Sequence, residues 1–179
     1  MTFFVTSTAP GSGNLNGLAG ADAHCLTLAT AAGAPQRQWR AYLSAPGAAG
    51  QSPIHARDRI GTGPWLNAVG VEVAADVDDL HGATNGLGLS TSLDEQGRTV
   101  RVGVHDMLTG SNPDGTLAIG DSTCRGWTST GGYAMVGHHN EGGGERQPTW
   151  NSAHSSPGCS ALALRSSSGA GLFYCFAPD

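Results

Sequence analysis

The chain reads as one α+β domain spanning residues 1–179, with a single clear N-terminal helix, short strands and long loops. Three observations predict this. Glycine fills 28 of the 179 positions, about twice the ordinary ~7% share, and follows no Gly-X-Y period that would make a triple helix. An early alanine-rich run has helical spacing, and no later segment carries a comparable signature. The hydrophobic share of 39% with a net charge of −5 excludes a disordered chain, which needs few apolar residues and strong self-repulsion.

Taken in order, Phe3 to Ser7 alternates as a strand, and Pro10 to Asn14 is loop chemistry. From Leu18 to Ala32, the residues Leu18, Ala21, Cys25, Leu28, Ala29 and Ala32 fall on one helical face. Gly33 and Pro35 then stop the helix. Trp39 to Ser44 reads as a strand, and a Pro/Gly/Ala-rich loop follows through Ser52. Short pieces are expected around Arg57–Ile60 and Pro64–Leu66, with a second short helix near Val73 to Leu80. Asp94-Glu95-Gln96-Gly97 predicts a hairpin tip before the alternating Thr99–Val104. Gly126–Ser129, Tyr133–Val136, Ala161–Arg165 and Leu172–Phe176 read as short strand-like segments between Gly/Ser/Pro loops.

Charge limits the partners. The nine basic residues are all arginines and are scattered, so no basic stripe exists to neutralise nucleic-acid phosphates. A polybasic membrane patch is missing for the same reason, and no apolar run approaches the ~18 residues of a membrane span. Cys25, Cys124, Cys159 and Cys175 include no CxxC pair, so structural disulfides and an oxidising compartment are expected. Sequence alone leaves three pairings open. Met1 leads directly into Phe3-Phe4-Val5 with no charged leader, so an export signal is expected to have been trimmed.

Several segments resemble one family. They are Phe4-Val5-Thr6-Ser7, Gly17 to Asp22 leading to Cys25, and Trp39-Arg40-Ala41-Tyr42-Leu43-Ser44. The match continues through His105-Asp106, Leu108-Thr109-Gly110-Ser111, Asp114-Gly115-Thr116, Cys124 and Gly126-Trp127-Thr128-Ser129. It ends with Trp150-Asn151, Cys159 and Leu172 to Phe176. In this order they resemble the bacterial endostatin-like family, which includes leptospiral endostatin-like surface proteins. The resemblance implies a C-type-lectin-like fold and the nested pairs Cys25–Cys175 and Cys124–Cys159. It also implies a secreted or bacterial surface (or periplasmic) domain that adheres to a glycan or an extracellular or matrix protein.

Sugar-binding C-type lectins hold calcium through a Glu-Pro-Asn or Gln-Pro-Asp triplet and a Trp-Asn-Asp triplet. This chain offers Asn112-Pro113-Asp114 and Trp150-Asn151-Ser152, where Ser152 stands in place of the last carboxylate. Asp106, Asn112, Asp114 and Asp121 are oxygen donors of the kind calcium takes. Asp76, Asp78 and Asp79 read as a solvated turn. Trp127, Tyr133 and Trp150 are candidates for an apolar ligand face, alongside the polar groups of His138, His139 and Asn151.

His138-His139 followed by Glu141 and Glu145 is the nearest approach to a transition-metal cluster, although neighbouring strand residues face opposite ways. His105-Asp106 reads as a structural hydrogen-bond pair at a strand end. No Gly-x-Ser-x-Gly elbow, HExxH pair or phosphate loop is present. The expectation is therefore a non-enzymatic extracellular recognition module, calcium-assisted. The alternatives are a metal-dependent hydrolase centred on His138, His139 and Glu141, and a structural module of the envelope.

Overall fold

The structure, a computed structural model, describes residues 1–141 and 149–178. Its central layer is a three-stranded antiparallel sheet in the order β1 (Phe3–Val5), β8 (Tyr174–Phe176), β2 (Arg40–Ala41). The two ends of the chain therefore pair with each other, Phe4 opposite Cys175. This sheet is covered on both faces. Phe4 and Cys175 point into one core with Trp39, Leu43, Leu108 and Trp127. Their neighbours Phe3, Val5, Tyr174 and Phe176 point into a second core with Tyr42, Ile60, Trp65 and Trp150. Period-two alternation thus feeds two apolar layers, which is why these strands are apolar throughout instead of alternating with polar residues.

Helix α1 (Gly17–Ala31) buries Ala21, Cys25 and Ala29, an i, i+4, i+8 stripe, against this sheet. Two links fasten it. The Cys25–Cys175 disulfide ties the helix to β8. Asp22 accepts from the Ala41 backbone N–H and pairs with Arg40 and Arg59, which locks the helix to β2.

The middle of the chain supplies a two-stranded sheet, β3 (Trp65–Leu66) and β4 (Glu72–Ala74), and a short helix α2 (Val77–Leu80). Two of the three clustered acids cap it: Asp76 accepts from the Asp79 N–H, and Asp79 accepts from Ala75 N–H and the Thr84 hydroxyl, while Asp78 pairs with Arg57. The expected Val73–Leu80 helix is therefore a strand followed by one helical turn. Thr99–Val104 carries only a single bridge, Leu93 to Thr99, instead of a full strand.

The third sheet, in the order β5 (Asp106–Leu108), β6 (Met135–His138), β7 (His154–Ser155), carries the site described below. Helix α3 (Cys124–Trp127) departs from expectation: Cys124, Arg125, Gly126 and Trp127 all have positive φ, so it is one left-handed turn. L-residues resist this by roughly 1–2 kcal/mol each. The turn is held by the Cys124–Cys159 disulfide and by the Trp127 indole N–H donating to Ser44 O. Asp121 and Thr123 side chains accept from the N–H groups of Arg125 and Gly126. Residues Ala161–Ser166 form helix α4 and not the expected strand, because Ser160 caps it by accepting from Ala163 N–H. Among the described residues there are four α-helical segments and one 3-10 turn (Ala56–Asp58), and none is long and apolar enough to cross a membrane.

Candidate metal centre on the third sheet

Register brings the site together. In the β5–β6 ladder Asp106 lies directly opposite His138, and in the β6–β7 ladder His154 lies opposite Val136. Val136 and His138 are two apart and share a face, so Asp106, His138 and His154 are direct or diagonal cross-strand neighbours. Gly137 is required between them. A Cβ there would stand 1.8 Å from Trp150 O, so only glycine lets the chain at Trp150–Asn151 lie against β6. His105 precedes β5, is free of its alternation, and turns its ring back toward Asp106.

The resulting geometry has one centre. The Asp106 side chain is 1% exposed, and three imidazole nitrogens face its Oδ1: His105 Nε2 at 3.1 Å, His138 Nε2 at 3.4 Å and His154 Nε2 at 3.5 Å. The rings of His105 and His138 pack edge-on at 4.5 Å, and those of His138 and His154 at 5.2 Å. Neither carboxylate oxygen of Asp106 has a hydrogen-bond partner, and neither has His138 Nε2. A buried carboxylate without a partner is among the costliest arrangements in a protein interior. The three nitrogens are close enough to relieve it by hydrogen bonding, yet none does.

The distances from His105 and His138 are compatible with donor atoms that share one ion. Two ligands at about 2.0–2.1 Å from a tetrahedral zinc are roughly 3.3 Å from each other. Among the described residues, His105, Asp106 and His138 form the one group of three or more potential His, Cys, Asp or Glu ligands within 4.8 Å of one another. Imidazole and carboxylate donors without thiolate suit zinc and its first-row neighbours. Calcium, which takes six to eight oxygens, is poorly matched to three nitrogens.

On its far edge, His138 Nδ1 lies 3.4 Å from Glu141 Oε2, and Thr149 Oγ1 donates to that same oxygen at 3.0 Å. This is the carboxylate–histidine relay that commonly orients a metal-bound imidazole. The side chains of His105 and His154 are 38% and 41% exposed, against 19% for His138. The centre is therefore closed on the Asp106 side and reachable from solvent on the other.

The remaining sequence-derived residues fall elsewhere. His139 faces away from His138, as strand alternation requires; its Nε2 donates to Val104 O at 3.1 Å. Burial holds its pKa below the ordinary histidine value. The trio His138, His139 and Glu141 is thus not one centre, and Glu145 lies outside the described residues. Trp127 and Trp150 are corrected from ligand face to core: both are fully buried, and their indole N–H groups donate to Ser44 O and Leu80 O. Tyr133 is exposed.

Asn151 is fully buried and uses its amide as a clamp, donating to the carbonyls of Asn112 and Pro113 and to the Tyr42 hydroxyl. Asn112 donates to Thr116 and Leu117, while Asp114 accepts from Thr116, which holds its carboxyl below the usual range. Asp121 caps the left-handed turn. Of the proposed carboxylate donors, Asp106 alone belongs to the cluster of potential ligands found among the described residues, while Asp114 and Asp121 each use Oδ1 in a local turn or cap.

In the sequence His105 reads only as a structural partner of Asp106, and His154 is not singled out at all. Their spacing from His138 has no local signature; the strand register alone brings them together. No family model matches the chain, and no curated protein matches it.

Proposed function

We propose that this protein is an extracellular recognition domain that binds its ligand through a transition-metal ion, zinc being the first candidate. Asp106, His105 and His138 hold the ion, His154 stands beside Asp106 at its open edge, and Glu141 orients His138. The observation that carries this is the convergence of three imidazole nitrogens on the unpartnered oxygen of buried Asp106. The solvent-facing edge at His105 and His154 gives an oxygen or nitrogen of the ligand access to the ion.

A C-type-lectin-like, endostatin-like fold is part of the proposal. It is supported by the paired chain ends, the early cysteine-bearing helix and the two nested disulfides. The disulfides also support an oxidising location. Recognition is favoured over hydrolysis by the placement of Glu141. A base for metal-bound water must face the open side of the ion, whereas Glu141 meets His138 on the ring edge turned away from it.

The test is metal analysis and zinc titration of the protein prepared metal-free, followed by glycan and matrix-protein panels with and without zinc. One zinc per chain, lost in His138→Ala and Asp106→Ala, is the expected result. Absence of stoichiometric binding, or binding unchanged in both variants, would overturn the metal centre. Ligands captured equally well without zinc would overturn its role in recognition.

A further inference from the structure

A cavity of about 490 Å³ opens between residues 6–9 at the exit of β1, residues 94–104, and residues 170–172. That is within the ~300–1,000 Å³ range of small-molecule sites. Val100, Val104 and Leu172 give it an aliphatic wall, Thr99 a hydroxyl, and Arg98 and Arg101 a pair of guanidinium groups. The cavity backs onto the sheet of the metal centre, since Val104 immediately precedes His105, but it shares no residue with that centre.

The balance of charge in this cavity is opposite to that of the chain. Asp94 is the one acidic residue in the lining, and its carboxylate is consumed. Oδ1 accepts from the N–H groups of Gln96 and Arg98, and Oδ2 accepts from Arg98 Nε, each at 2.9 Å. The adjacent Glu95 is buried and accepts from the N–H and hydroxyl of Ser7. The terminal nitrogens of Arg98 and the whole guanidinium of Arg101 have no protein partner among the described residues. Arg98 and Asp94 form an ion pair, so the lining carries one net positive charge, that of Arg101, on a chain of net charge −5. A planar guanidinium matches a carboxylate in a two-pronged hydrogen bond.

The geometry points to a second binding site, for a small organic carboxylate whose aliphatic or hydroxylated body lies along the Val100–Val104–Leu172 wall. Its site goes beyond the metal-centred function and does not depend on it.

The experiment is calorimetric titration of the full chain with glucuronate and hexanoate, beside glucose, hexanol and inorganic phosphate as controls. Both acids, or one of them, should bind at least about tenfold more tightly than its neutral counterpart. Arg101→Gln, at an exposed residue with no packing role to lose, should weaken binding about tenfold with unchanged thermal unfolding. Arg98→Gln should do the same with some loss of the Asp94 turn. His138→Ala should leave carboxylate binding intact. The proposal fails if the neutral compounds bind equally, if phosphate outcompetes both acids, or if Arg101→Gln binds as the parent does. It also fails if His138→Ala abolishes carboxylate binding, because the acid would then be sitting on the metal. Loss of zinc binding in that variant with carboxylate binding retained separates the two sites.

Discussion

Asp106 Oδ1 and His138 Nε2 stand 3.4 Å apart, buried and directly opposite one another in the β5–β6 ladder, and no hydrogen bond joins them. A carboxylate oxygen and an imidazole nitrogen so placed either bond to each other or share a cation. Asp106 Oδ1 is equally without a hydrogen bond from His105 or His154, and this is the observation on which the proposed cation rests.

Asp106→Asn should therefore act in opposite directions with and without metal. In chelator, the substitution removes an uncompensated buried charge and supplies an amide that can donate to an imidazole, so stability should rise by about 1–3 kcal/mol in urea denaturation. With zinc at roughly one hundred times its Kd, the parent gains about 2.7 kcal/mol, or about 5–10 °C in Tm for a chain of this length. The variant should gain almost nothing. A variant destabilised in chelator would mean that Asp106 has a protein partner after all.

Glu141→Gln tests the relay on the far side of the ring. Zinc affinity should fall about 10–100-fold, while unfolding of the metal-free protein stays close to the parent's. An unchanged affinity would leave Glu141 as a surface residue beside a histidine.

His81 gives the chain a pH dependence of known sign. Its Nδ1 donates to Val77 O at 2.7 Å, so Nε2 is the acceptor for the Tyr42 hydroxyl at 2.7 Å. Burial of His81 lowers its pKa below the ordinary 6.5, and burial of Tyr42 keeps the phenol protonated far into alkali. With the folded pKa below the unfolded one, the unfolded chain takes up the proton first as acid is added. The stabilisation is complete above pH 6.5 and is lost as pH falls through the folded value. His81→Gln should flatten the stability–pH curve in this window by up to one proton, about 1.4 kcal/mol per pH unit. A parallel curve would exclude His81 as a source.

The left-handed turn is testable at two adjacent positions. Arg125 is exposed at φ 58°, so Arg125→Gly should stabilise by about 1 kcal/mol by removing the Cβ conflict. At Gly126, φ 67°, an added Cβ would come no closer than 3.8 Å to Pro46. Gly126→Ala should therefore cost about 1 kcal/mol through the backbone alone. Equal and opposite shifts in chemical denaturation midpoints would establish the turn in solution; two neutral results would argue against it.

Much of the scaffold is visible in the chain itself. The helix expected at 18–32 is found at Gly17–Ala31, and the strand expectations at both chain ends fall on the paired β1 and β8. These elements announce themselves because their apolar periods are answered by local burial. Ala161–Arg165 misleads for a physical reason: alternating alanine and leucine fits either period in so short a run. The Ser160 cap decides for the helix. The left-handed turn at Cys124–Trp127 was equally hidden, since only one of its four residues is glycine and a tertiary disulfide holds the rest.

By itself the sequence determined a single loop-rich α+β chain, its first helix, its terminal strands, and an even set of cysteines whose pairing it left open. The tertiary structure decided the pairing and the site. Cys25 meets Cys175 across 150 positions, and His138 meets Asp106 across the β5–β6 ladder. Helical and strand periods are written into neighbouring residues, but register is a relation between distant ones. A one-residue slip would turn His138 to the other face of its sheet. Which histidines share a centre is therefore a property of the packed sheet.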